Sequence, residues 1–129
     1  MDKILINGHA FETLVAISEE EQRVGLMNRE WPPPNMIFPY DTPEIRRFWM
    51  KNTPSPLDII FCRGGKIISV HAGYPYSCEL IGPNEPSDLV IELPCGTAKK
   101  IEATKGSEVE VSLSPQTIEK KAKYAISYR

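Results

Sequence analysis

Phe48-Trp49-Met50-Lys51-Asn52-Thr53-Pro54-Ser55-Pro56-Leu57-Asp58-Ile59-Ile60-Phe61 is the stretch on which the fold turns. Two large aromatics, a lysine, an asparagine, two prolines and an aspartate stand between apolar runs. The order reads as a strand, a proline-stiffened loop and a second strand. In the first strand, expected over 46–51, alternation puts Arg47, Trp49 and Lys51 on one face and Arg46, Phe48 and Met50 on the other. The second, 57–62, is apolar almost throughout. Arg63-Gly64-Gly65 then makes a tight turn, and 66–71 returns as the hairpin partner.

Upstream, Asn7-Gly8 joins an apolar run at 3–6 to another at 10–17, the pattern of a β-hairpin. Ser18-Glu19-Glu20-Glu21 is a capping box, with three acids that suit the positive end of a helix dipole. The helix is expected over 19–28, with Val24, Leu26 and Met27 inward and Gly25 in its interior, at a cost of about 1 kcal/mol against Ala. Glu30-Trp31-Pro32-Pro33-Pro34 is a stiff extended linker, 36–38 a short strand and 39–43 a turn. Downstream, 72–87 is irregular. Residues 89–93, 99–103 and 109–113 read as strands, the last two around Lys105-Gly106-Ser107. Ser114-Pro115 opens a helix over 115–124, with Ile118, Ala122 and Ala125 on its packed face and Lys120, Lys121 and Lys123 exposed. Many short strands with turn signals and two short helices give a mainly β class, a compact antiparallel barrel-like or sandwich domain. The expected division is a β domain over 1–114 and a C-terminal helical extension over 115–129 that packs on it or frays.

The 129 residues suit one domain. A formal net charge of −2 argues against bulk electrostatic binding of nucleic acid. Arg46-Arg47 followed by Lys51, and Lys99-Lys100-Lys105, are local basic clusters that read first as solvated surface faces. No apolar run reaches the ~18 residues of a membrane span, and Asn7-Gly8-His9 interrupts the first apolar run too early for a signal peptide. The expected location is therefore cytoplasmic. Three cysteines, Cys62, Cys78 and Cys95, are neither a disulfide framework nor a zinc site by their spacing. Cys62 is expected buried and Cys78 exposed.

Four stretches, in order, resemble the DUF192 family of small uncharacterised prokaryotic proteins. They are Arg23-Val24-Gly25-Leu26-Met27, Met36-Ile37-Phe38, the Phe48–Phe61 stretch itself, and Val90-Ile91-Glu92-Leu93-Pro94-Cys95-Gly96. The resemblance covers about 4–113 and implies a β-rich barrel-like domain with one early helix, and no established reaction. Asn35 and Cys95 stand where the family has Gly and Ala, and 115 onward lies outside the pattern. Many members look exported, whereas this chain shows no such segment.

The candidate ligand-binding residues are Arg23, Trp49, Lys51, Asn52, Asp58 and Glu92. Two cations and two carboxylates around a rigid loop suit a small anionic or zwitterionic ligand. They suit better an ion-pair network that fixes the loop and helix, with Lys51 and Asp58 locked across the loop and a ligand groove beside it. Trp49 beside Lys51 suits a groove wall, and Asn52 a turn. The leading expectation is a non-enzymatic module that binds a small polar ligand or a protein segment. One alternative is a hydrolase using Asp58 and Glu92 as paired carboxylates, or Cys62 with His71. The other is a structural accessory domain whose motif charges pair and leave no cleft. No cofactor is expected, and no metal, since His71, Cys78 and a carboxylate show no ligand spacing.

Overall fold

Leu57–Arg63 forms β5, and its neighbour on one side is Ser87–Pro94, β7. Both runs are apolar without alternation, which suits strands covered on both faces. Ile60, Cys62, Ile91 and Leu93 point to one core; Leu57, Ile59, Phe61 and Val90 point to another on the opposite face. A computed structural model of the chain describes residues 1–127, with side chains to residue 124. The expected roles of Ala125 and of the tail beyond it lie outside the described side chains.

Lys66–Gly73 (β6) closes the hairpin with β5, and Met36–Glu44 (β4) flanks β7 on its other side. Leu14–Val15 (β3) adds the far edge, parallel to β4, to give the order β3-β4-β7-β5-β6. A second sheet pairs Lys3–Ile6 (β1) with His9–Glu12 (β2) and with Val109–Ser112 (β8). The first core lies between the two sheets and under Thr97–Lys100 (α2). The second lies beyond the larger sheet, where the turn after Glu19–Val24 (α1) and the irregular segments 45–56 and 74–82 reach it through Leu26, Phe48, Met50 and Ile81.

The sheets stay open, so the architecture is a sandwich and not a barrel. Among the described residues, the two sheets meet edge to edge at the Lys66–Glu108 bridge and its neighbouring backbone bonds. The capping box forms as expected, but α1 stops at Val24 because Gly25 turns to φ +49. Gly25 is thus a stop signal and not a helix interior. The expected first hairpin is divided: β2 ends at Glu12, and Leu14 leaves for the other sheet. Residues 46–51 form no continuous strand. Only Phe48 is bridged, to Ile81, and Met50 donates to Ser77 O at 2.8 Å. Residues 99–103 are not a strand, since α2 occupies 97–100, whereas β4 runs on past Phe38 through Pro39 and Pro43 with a register shift.

Pro115–Ser127 forms α3, longer than the expected 115–124. Ser114 Oγ accepts the Thr117 N–H, and Asp2 Oδ1 accepts the Ser114 N–H at 2.8 Å. Lys120 and Lys121 are half-buried rather than exposed, since they pair with Glu21 at 2.6 Å and Asp41 at 2.8 Å. Ile118, expected on the packed face, is 56% exposed. The three cysteines are free, with Cys62 buried and Cys78 and Cys95 exposed. No helix among the described residues is long and apolar enough to cross a membrane.

Candidate functional site

Where α1 ends, the left-handed turn at Gly25 leaves open space above β4 and β7. A Cβ on Gly25 would meet Phe38 Cζ at 3.5 Å and Glu92 Oε1 at 3.8 Å. This space is a pocket of about 360 Å³, within the range of small-molecule sites. Phe38 and Glu92 lie at its base, Tyr40 and Phe48 form its walls, and Arg23, Arg47, Trp49 and Lys51 stand around its mouth with Glu19. Phe48 is fixed by edge-on contacts with the rings of Phe38 and Phe61, at 5.0 and 5.8 Å between centroids.

Glu92 is the unusual group. The register of β7 with β4 and β5 (Met36↔Glu92, Ile59↔Glu92) sets its side chain on the apolar second-core face. It is 4% exposed and, among the described residues, takes part in no hydrogen bond or ion pair. Burial alone pushes its carboxyl up to about 8, so it holds its proton at neutral pH. Tyr40 beside it is pushed up to about 12, chiefly by burial, with Arg46 pulling it down and Glu92 adding to the rise.

The cations at the mouth are placed by separate devices. Lys51 reaches over the Trp49 ring at 5.1 Å and pairs with no carboxylate among the described residues. Arg47 donates to Pro83 O and Asn84 Oδ1. Arg46, its neighbour, is no solvated residue. It stacks 3.3 Å over Tyr40 and donates to Thr42 O and Ser87 O, fixing the approach to the segment. Arg23 pairs with Glu20 on the helix surface.

Of the six residues singled out from sequence, Arg23, Trp49, Lys51 and Glu92 line this pocket, and Asn52 and Asp58 do not. Asn52 has φ +55, and its carbonyl accepts the Asn28 N–H at 2.8 Å, so it shapes the turn. Asp58 points to the other face of the sheet, where its Oδ2 accepts the Ala98 N–H at 2.8 Å at the start of α2. The expected Lys51–Asp58 lock is therefore absent. Asp58 and Glu92 are one register position out of step and share no cleft, which removes them as a catalytic carboxylate pair. Cys62 and His71 fail for the same reason. Cys62 is 0% exposed in the first core, its thiol pushed up to about 12 by burial and Asp88, while His71 packs on Phe61 across the sheet. Burial and Arg47 hold His71 below its usual range. A pocket also stands where an accessory domain was expected to have none.

Sequence reasoning missed Phe38, Tyr40, Arg47 and Phe48 as pocket residues. Alternation had put Phe48 on the face opposite Trp49 and Lys51, but without a continuous strand at 46–51 both faces reach the pocket.

A family model for DUF192, described as an uncharacterised ACR, matches residues 3–111. The chain belongs to the DUF192 family. The DUF192 chain is similar in fold to two solved structures. One, from Novosphingobium aromaticivorans DSM 12444, is a protein of unknown function at 30% identity and TM-score 0.76, covering 84% of this chain and 83% of its own. The other, from Sinorhizobium meliloti 1021, is described as a proposed transcription regulator, at 29% identity and TM-score 0.77, covering 85% of this chain and 91% of its own. No curated protein matches the DUF192 chain. The matched region stops before α3, which is joined to it through Glu21 and Asp41 and to the residue just ahead of it, Asp2.

Proposed function

We propose that this DUF192 protein is a non-enzymatic binding module whose ligand, a small polar molecule, occupies the pocket between α1 and the 45–53 segment. The observation that carries the reading is Glu92, a buried carboxyl with no protein partner that lines an open, aromatic-walled space. A polar group is normally hydrogen-bonded, and since the Glu92 carboxyl has no protein partner and opens onto this space, its partner comes from whatever occupies the pocket. The pocket's volume favours a small molecule over a protein segment. A small-molecule role is also compatible with the name of the Sinorhizobium relative, since a regulator can respond to such a ligand.

Thermal-shift screening of the purified chain against metabolites, sugars and short peptides tests this. A ligand at about ten times its Kd stabilises by about 1.4 kcal/mol and raises Tm by about 5 °C. The shift should shrink or vanish in Glu92→Gln and Lys51→Ala. A screen without hits, or hits equally strong in both variants, would overturn the reading.

A further inference from the structure

The two ends of the pocket ask for opposite charges. At the base, Glu92 is surrounded by rings and receives no donor. An ionised carboxylate has about four acceptor sites and a negative charge. A group with several N–H donors and a positive charge answers both. At the mouth, Lys51 pairs with no carboxylate among the described residues, and Arg47 is held by Arg46 O, Pro83 O and Asn84 Oδ1 and not by an acid; Arg23 is paired with Glu20, so these two cations stand against Glu19. They favour an acid group. Resting on the binding role proposed above, we infer that the ligand is an amino-acid-like zwitterion that enters ammonium first. Its ammonium pairs with Glu92 and its acid group faces Lys51 and Arg47.

No bond is made or broken except a proton shift: Glu92 gives its proton to solvent as the ammonium takes its place. Ammonium binding therefore tightens with rising pH until Glu92 is ionised in the empty pocket. The charged and titratable groups around Glu92 are Tyr40 from β4, Glu19 and Arg23 at α1, and Arg47 and Lys51 from the 45–53 segment. All remain in Glu92→Gln, so pH dependence lost in that variant belongs to Glu92.

The probes are 5-aminopentanoate and its two singly charged halves, pentylamine and pentanoate. Each is titrated at millimolar concentration into the full chain and followed by backbone amide shifts at Gly25, Phe38 and Glu92. Pentylamine should bind at these amides and tighten by up to tenfold per pH unit between about pH 6 and 8. Glu92→Gln should abolish that dependence and weaken pentylamine at least tenfold. Lys51→Ala and Arg47→Ala should weaken 5-aminopentanoate by a clearly larger factor than they weaken pentylamine. If pentanoate binds these amides better than pentylamine, or if pentylamine binding ignores Glu92→Gln, the zwitterion inference is overturned while the binding role stands. Silence from all three probes also overturns it, and the binding role then rests on the broader screen.

Discussion

Replacing Glu92 by Gln should stabilise the ligand-free protein by an amount that grows with pH. In the unfolded chain the carboxyl loses its proton near the ordinary value of 4.5, and in the folded protein it keeps it to about 8. Between those values the native state holds a proton that the unfolded state has released, so native stability falls as pH rises. Below the interval both states are protonated and the effect is absent; above it both are ionised and the full effect remains. Each pH unit is worth about 1.4 kcal/mol. The interval from 4.5 to about 8 therefore amounts to about 5 kcal/mol, with about 3 kcal/mol already expressed at pH 7. A chain of 129 residues has a total stability of about 6–19 kcal/mol, so this is a substantial fraction. Gln keeps the shape but brings a buried amide of its own, an offset independent of pH, so the slope is the diagnostic quantity. Urea unfolding of parent and variant between about pH 5 and 9, analysed as a difference, cancels every other titrating group. The difference should climb at up to about 1.4 kcal/mol per pH unit and level off above about 8. A flat difference, or one that falls as pH rises, would refute the placement of an unpartnered carboxyl in this pocket.

Two further substitutions test the supports of the site. Gly82→Ala would set a Cβ 2.4 Å from Arg46 O and 3.2 Å from Phe61 Cζ at φ +152, so it should destabilise by about 2–4 kcal/mol and alter Trp49 fluorescence as the 45–50 segment shifts. Unchanged melting and emission would show that this segment is not pinned there. Burial raises the Glu21 carboxyl, but the Lys120 hydrogen bond and the Ser18 and Ile17 N–H groups outweigh it and hold it at about 2, so its stabilisation is present above the ordinary 4.5 and lost as pH falls through about 2. With Glu21 39% exposed, solvent screening limits Lys120→Ala to about 0.5–1 kcal/mol, less in high salt, whereas Glu21→Ala also loses the capping box and should cost about 1–2 kcal/mol at pH 7. Equal losses from the two, by urea unfolding, would contradict this division.

Local signals were legible where local chemistry decides. The capping box at Ser18, the turns at Asn7-Gly8 and Gly64-Gly65, and the apolar runs of β5 and β7 all form as their residues dictate. The errors arise where a distant partner decides. Phe48 and Met50 alternate like strand residues, yet their partners are single groups in the 74–82 loop. Lys99-Lys100-Ile101 carries no helix signal of its own, and the donor that opens α2 is satisfied by Asp58, forty positions earlier. Lys51 and Asp58 flank one loop in sequence, but the pleat sends Asp58 through the sheet. Four of the six candidate residues, Arg23, Trp49, Lys51 and Glu92, come to line one pocket, because charged and aromatic types inside an apolar run mark where the chain leaves its regular packing. Phe38 and Phe48 were missed because an apolar ring reads the same whether it fills a core or walls a pocket.

β7 has hydrogen-bonded strands on both edges and packed side chains on both faces. Its amides can meet solvent only when the whole molecule opens, so their hydrogen exchange should report global stability. The acid proton of Glu92 belongs to the same strand but faces the pocket. One residue thus combines an amide hydrogen on a strand paired along both edges with an acid hydrogen that leaves through an open mouth. A ligand taking the place of that acid proton would act on a strand that has neighbours on both edges, and its binding should slow the amide exchange of that strand.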